Sequence, residues 1–331
     1  MHIPDGLLSA PVAAGYGLAS LVGIGVACQR LRATRERGSS ALLGVCAAFI
    51  FAAQMVNFPV GAGTSGHLIG STLGVALLGL PGAMIVMTAV LFVQCFAFGD
   101  GGVFALGANV FNMAQVGCVV GYCCYRLLCG AAPSPTRRVA AVAFASWCAT
   151  VAAAASCAEQ LALSGTARGA VVFLAMLGVH ALIGVGEAVI TALIMASVLR
   201  FRPELLGDSG RPGGARARAG SPVWAGLGLS LAIAVLLAPL ASAAPDGLAQ
   251  VAQRLGLQGH ERASLAESIG LLLGKGLLVT VLVGCSGTLL LFGSCWLLAR
   301  ALVPRAPLAA AALPSVAPEG LASRPAVESS G

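Results

Sequence analysis

Residues 169–199 read GAVVFLAMLGVHALIGVGEAVITALIMASVL, and their only ionisable side chains are His180 and Glu187. An apolar run of more than about 20 residues is long enough to cross a bilayer as a helix. The whole chain shares this character, since 58% of its 331 residues are hydrophobic and 9% are charged. That is too little charge to cover a water-facing globule of this size. The sequence therefore predicts an all-α polytopic membrane protein.

Nine apolar segments are predicted as crossings. They lie at residues 7–28, 40–57, 67–80, 82–99, 102–125, 138–158, 169–199, 222–241 and 269–298. The third is too short to span comfortably, so we expect a tilted or partial helix that stops at Pro81 and Gly82. It follows a glycine-rich, non-helical loop, FPVGAGTSGH, at residues 58–67. Such backbone is tolerated at membrane depth only where protein or a cavity surrounds it.

The arginines predict the orientation of the chain. Most of them fall in three loops and in the tail, as Arg30, Arg32, Arg35, Arg37, Arg126, Arg137, Arg138, Arg200, Arg202, Arg211, Arg216, Arg218, Arg300 and Arg305. Because positive charge accumulates in cytoplasmic loops, these segments are predicted to face the cytoplasm. The amino terminus is then extracytoplasmic and the carboxyl terminus cytoplasmic, which agrees with an odd number of crossings.

Composition also divides the chain. Residues 1–200 hold seven crossings, and residues 201–221 are rich in Gly, Pro and Arg, which is typical of a cytoplasmic linker. Residues 222–300 form an appended helix pair around an extracytoplasmic loop at about 242–268. The tail, 301–331, is rich in Ala and Pro and is predicted to be disordered.

His2 follows the free amine by one peptide unit, so one metal ion can be chelated by the Met1 amine and by the backbone and ring nitrogens of His2. Three nitrogens in a plane suit Ni(II) or Cu(II) and leave a fourth position open. His67 is the best candidate for it, because it is predicted at the same outer end, whereas His180 is less well placed. The alternative is a chance histidine at a frayed terminus. A turn at residues 4–6, which could fold the terminus back, favours the metal site.

Polar residues inside the predicted helices are costly unless satisfied, and they often mark a substrate path. Most lie in the predicted outer half, near His2 and His67, and are candidates to orient the ligands or line the path: Gln54, Asn57, Gln94, Asp100, Asn109 and Asn112. Interhelical hydrogen bonding explains any single one equally well. His180 and Glu187 share a helical face, and we interpret them as a structural or gating pair rather than as ligands.

Four segments together carry a family resemblance: MHIPDGLL (1–8), NFPVGAGTSGHLIG (57–70), FVQCFAFGDGGVFALGANVFNMA (92–114) and GVHALIGVGEAVITALI (178–194). They resemble the metal-binding substrate component of the cobalt/nickel energy-coupling factor transporters over residues 1–200. The resemblance implies a seven-helix bundle plugged from outside by the amino terminus. It also implies a square-planar ion held by the Met1 amine, the backbone and ring nitrogens of His2, and the His67 ring.

The remainder, from about residue 222, resembles the small auxiliary component of the same transporters, here fused to the first. Its loop reads PDGLAQVAQRLGL at residues 245–257 and has Ala249 where that component carries a glutamate. The resemblance implies a multi-pass protein of a prokaryotic plasma (inner) membrane. It also implies separate partners, namely a transmembrane coupling subunit and cytoplasmic ATP-binding subunits.

These features predict a transport subunit that captures Ni2+ or Co2+ as cargo, with no permanently bound cofactor, no nucleic-acid partner and no enzymatic activity of its own. The sequence contains no GxxxxGK[ST] phosphate loop, so the energy is expected from a partner. The alternative is a stand-alone, ion-gradient-driven metal permease, which would need a titratable relay through the inner half, where Glu187 has few companions. An intramembrane metal hydrolase would need HExxH-type spacing, which the third to fifth crossings lack.

Overall fold

A computed structural model describes residues 1–33, 39–61, 63–206, 221–260 and 276–302. Its α-helices are α1 (Ala10–Ala33), α2 (Ser39–Gln54), α3 (Ser71–Val93), α4 (Leu106–Asn109), α5 (Gly117–Cys129), α6 (Pro135–Leu163), α7 (Gly169–Phe201), α8 (Ser221–Ala232), α9 (Gly247–Arg254) and α10 (Leu277–Leu302). Short π-helical segments are Gln94–Phe98, Val110–Val116 and Ile233–Leu237, and short 3-10 segments are Pro203–Leu206, Ala238–Leu240 and Leu257–His260.

The prediction of an all-α multi-pass membrane protein is confirmed. In the described part of the chain, six helical segments are long and apolar enough to cross a membrane: Ala10–Ala33, Ser71–Phe98, Pro135–Leu163, Gly169–Phe201, Val223–Leu240 and Leu277–Leu302. The apolar helix Ser40–Gln54 is somewhat shorter. Most of the predicted linker, 207–220, and most of the predicted tail, 303–331, lie outside the described residues.

The third and fourth predicted crossings are joined at a sharp reversal. Gly79 has φ 71° and ψ 171°, a conformation that breaks α3 and that glycine adopts without strain. A Cβ built on Gly74 would lie 3.2 Å from the Cβ of Ala83. Nine residues would be separated by about 13.5 Å along a straight helix, so the two halves of α3 lie side by side. The break falls at Gly79 rather than at Pro81 and Gly82, because Pro81 is tolerated in the first turn of the second half.

The fifth predicted crossing, 102–125, is interrupted. Residues 99–105 form a loop, and the helical path then runs through α4, the π-helical segment Val110–Val116 and α5. π-helical turns inside α-helices are frequent at functional sites. Asn109 is the last residue of α4, and Asn112 lies in the π-helical segment.

The glycine-rich loop before His67 contains a small β-hairpin that the sequence did not predict. Strand β1 (Phe58–Gly61) pairs antiparallel with β2 (Thr64–Gly66), with Phe58 opposite Gly66 and Pro59 opposite Ser65. The register is irregular between Pro59 and Gly61. The hairpin satisfies backbone groups that an irregular loop would leave unpaired inside the protein.

Residues 221–260 and 276–302, which we call the appended unit, pack against the first bundle. Both α8 and α10 lie along α2, while α9 contacts α7 and β2. Small residues permit the close approach, since a Cβ on Gly44 would lie 2.8 Å from the carbonyl oxygen of Phe292. A Cβ on Gly287 would lie 2.6 Å from the Phe51 ring and 2.7 Å from the Phe98 ring. The appended unit is therefore docked with its backbone close to α2.

This contact predicts a position-specific effect on stability. Gly287→Ala places a methyl group against two aromatic rings, and overpacking of this kind costs about 1–3 kcal/mol. Gly293→Ala on the same helix is the matched control, because no atom lies within 4 Å of its Cβ position. Thermal unfolding of the purified protein should show a lower Tm for Gly287→Ala only. An equal Tm in both variants would contradict the packing described here.

Candidate metal-binding site

The first residues of the chain are buried inside the bundle. Met1 is 3% exposed, His2 8% and Ile3 0%. The backbone of Ile3 is held on both sides, because its N–H donates to Asn109 Oδ1 at 2.8 Å and its carbonyl accepts from Asn109 Nδ2 at 3.1 Å. The Ile3 carbonyl also accepts from the Gly102 N–H at 2.9 Å. The terminus is thus fixed by backbone contacts and is not frayed.

The Pro4-Asp5-Gly6 turn directs the terminus into this position. The Asp5 carboxylate accepts the N–H groups of Val103, Phe104 and Ala105 at 3.0, 2.9 and 3.2 Å. These donors precede α4, where a carboxylate satisfies otherwise free N–H groups and complements the helix dipole. A Cβ on Gly102 would lie 2.1 Å from Asp5 Oδ1, so only glycine allows this approach. The interruption at 99–105 is therefore the surface that receives residues 1–5.

His2 and His67 face each other. Their ring centroids are 5.5 Å apart with the planes tilted by 38°. Neither ring nitrogen of His2 has a hydrogen-bond partner among the described residues, and its nearest carboxylate oxygen, Asp100 Oδ2, is 3.8 Å from Nε2. The Nδ1 atom of His67 lies 3.1 Å from the Leu68 carbonyl oxygen, so a tautomer protonated there leaves Nε2 with a free lone pair.

Burial keeps both imidazoles neutral. Desolvation lowers the pKa of His2 to about 4, an effect that the Asp100 carboxylate opposes only in part. Desolvation, followed by the nearby amino-terminal charge, also lowers the pKa of His67. Neutral imidazoles offer lone pairs to a metal ion, whereas protonated ones do not.

The Met1 ammonium forms an ion pair with Asp246 Oδ2, from the appended unit. The other oxygen of this carboxylate accepts the Ala249 N–H at 2.8 Å and so caps α9. Burial alone would raise the pKa of Asp246, but the ammonium and the Ala249 N–H outweigh it and hold that pKa well below its usual range. Asp246 is therefore an ionised carboxylate in direct contact with the predicted amine ligand.

His180 lines the same cavity as Met1, His67 and Asp246. A cavity of about 10 Å³, room for roughly one water molecule, is lined by Met1, Gly66, His67, Ile69, Thr150, His180, Ile183, Asp246 and Gly247. His180 Nδ1 contacts the Met176 carbonyl at 2.8 Å, while its buried Nε2 has no partner among the described residues. His180 was predicted to be less well placed than His67, but α7 passes directly behind the hairpin, where a Cβ on Gly66 would lie 2.6 Å from Ile183.

Three of the predicted polar residues support the segment that carries His67. Gln54 Nε2 donates to the Ile69 carbonyl at 2.7 Å, and Gln94 Nε2 donates to Gln54 Oε1 at 2.6 Å. Glu187 accepts the Gly70 N–H at 3.1 Å through one oxygen and the Thr150 hydroxyl at 2.6 Å through the other. These contacts place the polar groups behind His67, where they fix its backbone.

The other predicted residues have different surroundings. Asn112 exchanges two hydrogen bonds with Gln160 on α6, at 2.9 and 2.7 Å, which is the interhelical alternative. Asn57 contributes its backbone carbonyl, which accepts the Ser242 N–H at 2.8 Å. Sequence reasoning missed Gln160 and Thr150, because nothing in the sequence shows which helix faces them.

Within the part of the chain that the structure describes, no group of three or more His, Cys, Asp or Glu side chains could hold a metal ion. The predicted ligand set does not depend on such a group, because it includes main-chain nitrogens. The Met1 amine and the His2 backbone nitrogen are the ones that lie beside the two facing imidazoles.

The fold and this site define a multi-pass membrane protein with a buried amino terminus. Residues 2–205 match the model of the CbiM family, described as the cobalt uptake substrate-specific transmembrane region. The chain belongs to this family, which confirms the resemblance found over residues 1–200.

Known relatives extend the match. The "Fused nickel transport protein NikMN" of Rhodobacter capsulatus is 34% identical over 256 residues, covering 72% of each chain. A protein of Archaeoglobus fulgidus, provisionally named as a fused nickel transport protein NikMN, is 38% identical over 215 residues, or 64% of this chain and 70% of that one. A crystal structure of a truncated transition metal transporter superposes with a TM-score of 0.53 at 35% identity, covering 60% of this chain and 99% of that one.

The contacts of Ile3 predict how the terminus can be released. Asn109→Leu keeps the side-chain size but removes both hydrogen bonds, which leaves the buried Ile3 N–H unpaired at a cost of about 1–3 kcal/mol, while the Ile3 carbonyl keeps its bond from the Gly102 N–H. The Met1 amine should then react faster with an amine-specific acylating reagent, relative to the single lysine, Lys275. Peptide mass spectrometry measures both modifications.

Asn112→Leu is the matched control, because Asn112 is equally buried but pairs with Gln160. We expect no change in Met1 labelling in this variant. Equal acceleration in both variants would show that the terminus is not held specifically by Asn109.

Proposed function

We propose that this chain is the substrate-capturing membrane subunit of an ATP-driven energy-coupling factor transporter that takes up Ni2+ or Co2+. The observation that carries the proposal is the buried Met1–His2 terminus facing His67, with unpartnered nitrogens on the His2 ring. The buried terminus and the two neutral imidazoles together supply nitrogen atoms that can bind a metal ion.

The proposed ligands are the Met1 amine, the backbone and ring nitrogens of His2, and the His67 ring, in a square plane. The first three are linked by covalent geometry, so only His67 must be brought to them by the fold. A tetragonal nitrogen set suits Ni(II), and cobalt lies just below nickel in the affinity order of divalent ions. Binding replaces one ammonium proton and one amide proton.

The comparisons support a metal cargo of this kind. The family is named for cobalt uptake, while both relatives described above carry names of nickel transport. These names differ in the metal, so we propose either ion as cargo. The geometry of the site and the supply of ions would determine which of the two is bound.

The arginine distribution and the family resemblance support the following assembly. The metal site would face the extracytoplasmic side, residues 1–200 would form the seven-helix component and 222–300 the auxiliary component. The 201–221 linker and the 301–331 tail would be cytoplasmic. A transmembrane coupling subunit and cytoplasmic ATPases would drive release. Glu187 bonds Gly70, so a shift of α7 would pull on the segment that carries His67, as expected of a gating residue.

The ligand set predicts the effect of blocking the terminus. An amino-terminal tag, His2→Ala or His67→Ala should abolish Ni2+ uptake, because each removes a donor that the other three cannot replace. The same tag at the carboxyl terminus is the matched control and should leave uptake unchanged. Uptake of radioactive Ni2+ into cells measures the effect, and normal uptake with a blocked amine would disprove the chelate.

The energy source is tested separately. Uptake should require co-expression of the coupling subunit and ATPases, and it should be lost when their ATP-binding lysine is substituted. Full uptake by this chain alone, abolished by collapsing the ion gradients, would instead support a stand-alone permease.

A further inference from the structure

The appended unit reaches the candidate metal site through residues 242–247. Its backbone lies beside the hairpin, since the Ser65 N–H donates to the Pro245 carbonyl at 2.9 Å and the Ser242 N–H donates to the Asn57 carbonyl at 2.8 Å. The Ser65 hydroxyl adds a bond to the Ala244 carbonyl at 2.7 Å. Ser65 is two residues before His67, so this docking fixes the appended unit relative to the site.

The next two residues enter the site itself. Asp246 pairs with the Met1 ammonium, and a Cβ on Gly247 would lie 2.7 Å from both His180 Nε2 and Ile183 Cδ1. Glycine therefore allows the segment to pass directly against α7. The Asp246 side chain is 24% exposed, whereas that of Met1 is 2% exposed. Two contacts fix the position of Asp246: the bond of Ser65 to the preceding backbone, and the capping bond that Asp246 makes to α9.

The sum of the charges at the site indicates a role for the Asp246 carboxylate. Without metal, the ammonium and Asp246 carry opposite unit charges and the imidazoles are neutral. With a divalent ion, the donors are a neutral amine, two neutral imidazoles and one anionic amide nitrogen, which leaves a single positive charge. A buried, unbalanced charge is costly in an apolar bundle. Asp100, the carboxylate near His2, is 54% exposed and therefore largely screened by solvent.

We propose that the appended unit completes the metal site of the first bundle by supplying Asp246, the carboxylate that positions the Met1 amine and balances the positive charge of the loaded nitrogen site. The exchange is balanced: one divalent ion enters, one proton leaves the ammonium and one leaves the His2 amide. With one negative charge on the Asp246 carboxylate, the charges sum to zero before and after the exchange. This proposal rests on the proposed function, and it assigns the charge-balancing role to a residue outside the seven-helix component.

Two substitutions separate charge from structure. Asp246→Asn removes the charge but keeps an equally good helix cap, because Asn and Asp are comparable at this position. Asp246→Glu keeps the charge on a longer side chain. Ni2+ affinity of the purified full-length chain is measured by isothermal titration calorimetry, and circular dichroism checks that helix content is unchanged.

We expect Asp246→Asn to weaken Ni2+ binding about 10- to 100-fold, the range typical of residues that support metal ligands. Asp246→Glu should remain within a few-fold of the wild type. Wild-type affinity in Asp246→Asn would overturn the proposal. Equal loss in both variants would also overturn it, since the charge would then not be the deciding property.

His67→Ala separates this proposal from the proposed function. Loss of binding in His67→Ala together with wild-type affinity in Asp246→Asn would keep the nitrogen site and reject only the role of Asp246. A wild-type chain that binds no Ni2+, or a His67→Ala variant with full affinity, would reject both.

Discussion

Placing a charged amino terminus inside an apolar bundle costs several kcal/mol unless the charge is paired and the backbone is hydrogen-bonded. In this protein, the ion pair between the Met1 ammonium and Asp246 offsets that cost, and Asn109 with Gly102 satisfies the backbone of Ile3. The other features at this end of the bundle follow from that requirement. The helical path opens at 99–105 to receive residues 1–5, and the appended unit is docked where its carboxylate reaches the amine.

The tripeptide Pro-Asp-Gly occurs twice here, at residues 4–6 and 245–247, and both copies serve the same small region. In each copy the aspartate accepts backbone N–H groups at the start of a helix: Asp5 before α4 and Asp246 at α9. A glycine allows the close approach in both places: Gly102 beside Asp5, and Gly247 beside His180. The difference is that Asp246 has an oxygen left over, and that oxygen meets the ammonium. Two similar turns therefore give one structural anchor and one residue of the candidate site.

The part of the fold that could be predicted is the set of membrane-crossing helices, because the bilayer constrains their length and composition. Segment length and apolarity identify the crossings, because lipid leaves few alternatives to a helix of about 20 residues. The reversal at Gly79 and the hairpin before His67 were beyond reach, since a glycine-rich sequence permits several backbone paths and packing selects one. His2 and His67 could be paired from topology, but the contact of Asp246 with Met1 joins residues 245 positions apart. The one feature of the sequence that relates the two regions is the repeated Pro-Asp-Gly tripeptide.

The polar residues inside the helices bear on how an ion would leave the site. Gln54 donates to the Ile69 carbonyl, Gln94 donates to Gln54, and Glu187 accepts the Gly70 N–H, so the three side chains brace the His67 segment. Such a network resists movement, because breaking one of its bonds leaves a further buried polar atom unpaired, in addition to Gln94 Oε1, which has no partner among the described residues. Release of a tightly chelated ion would require His67 to separate from the amino terminus, against this bracing. On the proposed function, α7 and the hairpin would move together during release, because Glu187 of α7 bonds the Gly70 N–H next to the His67 segment.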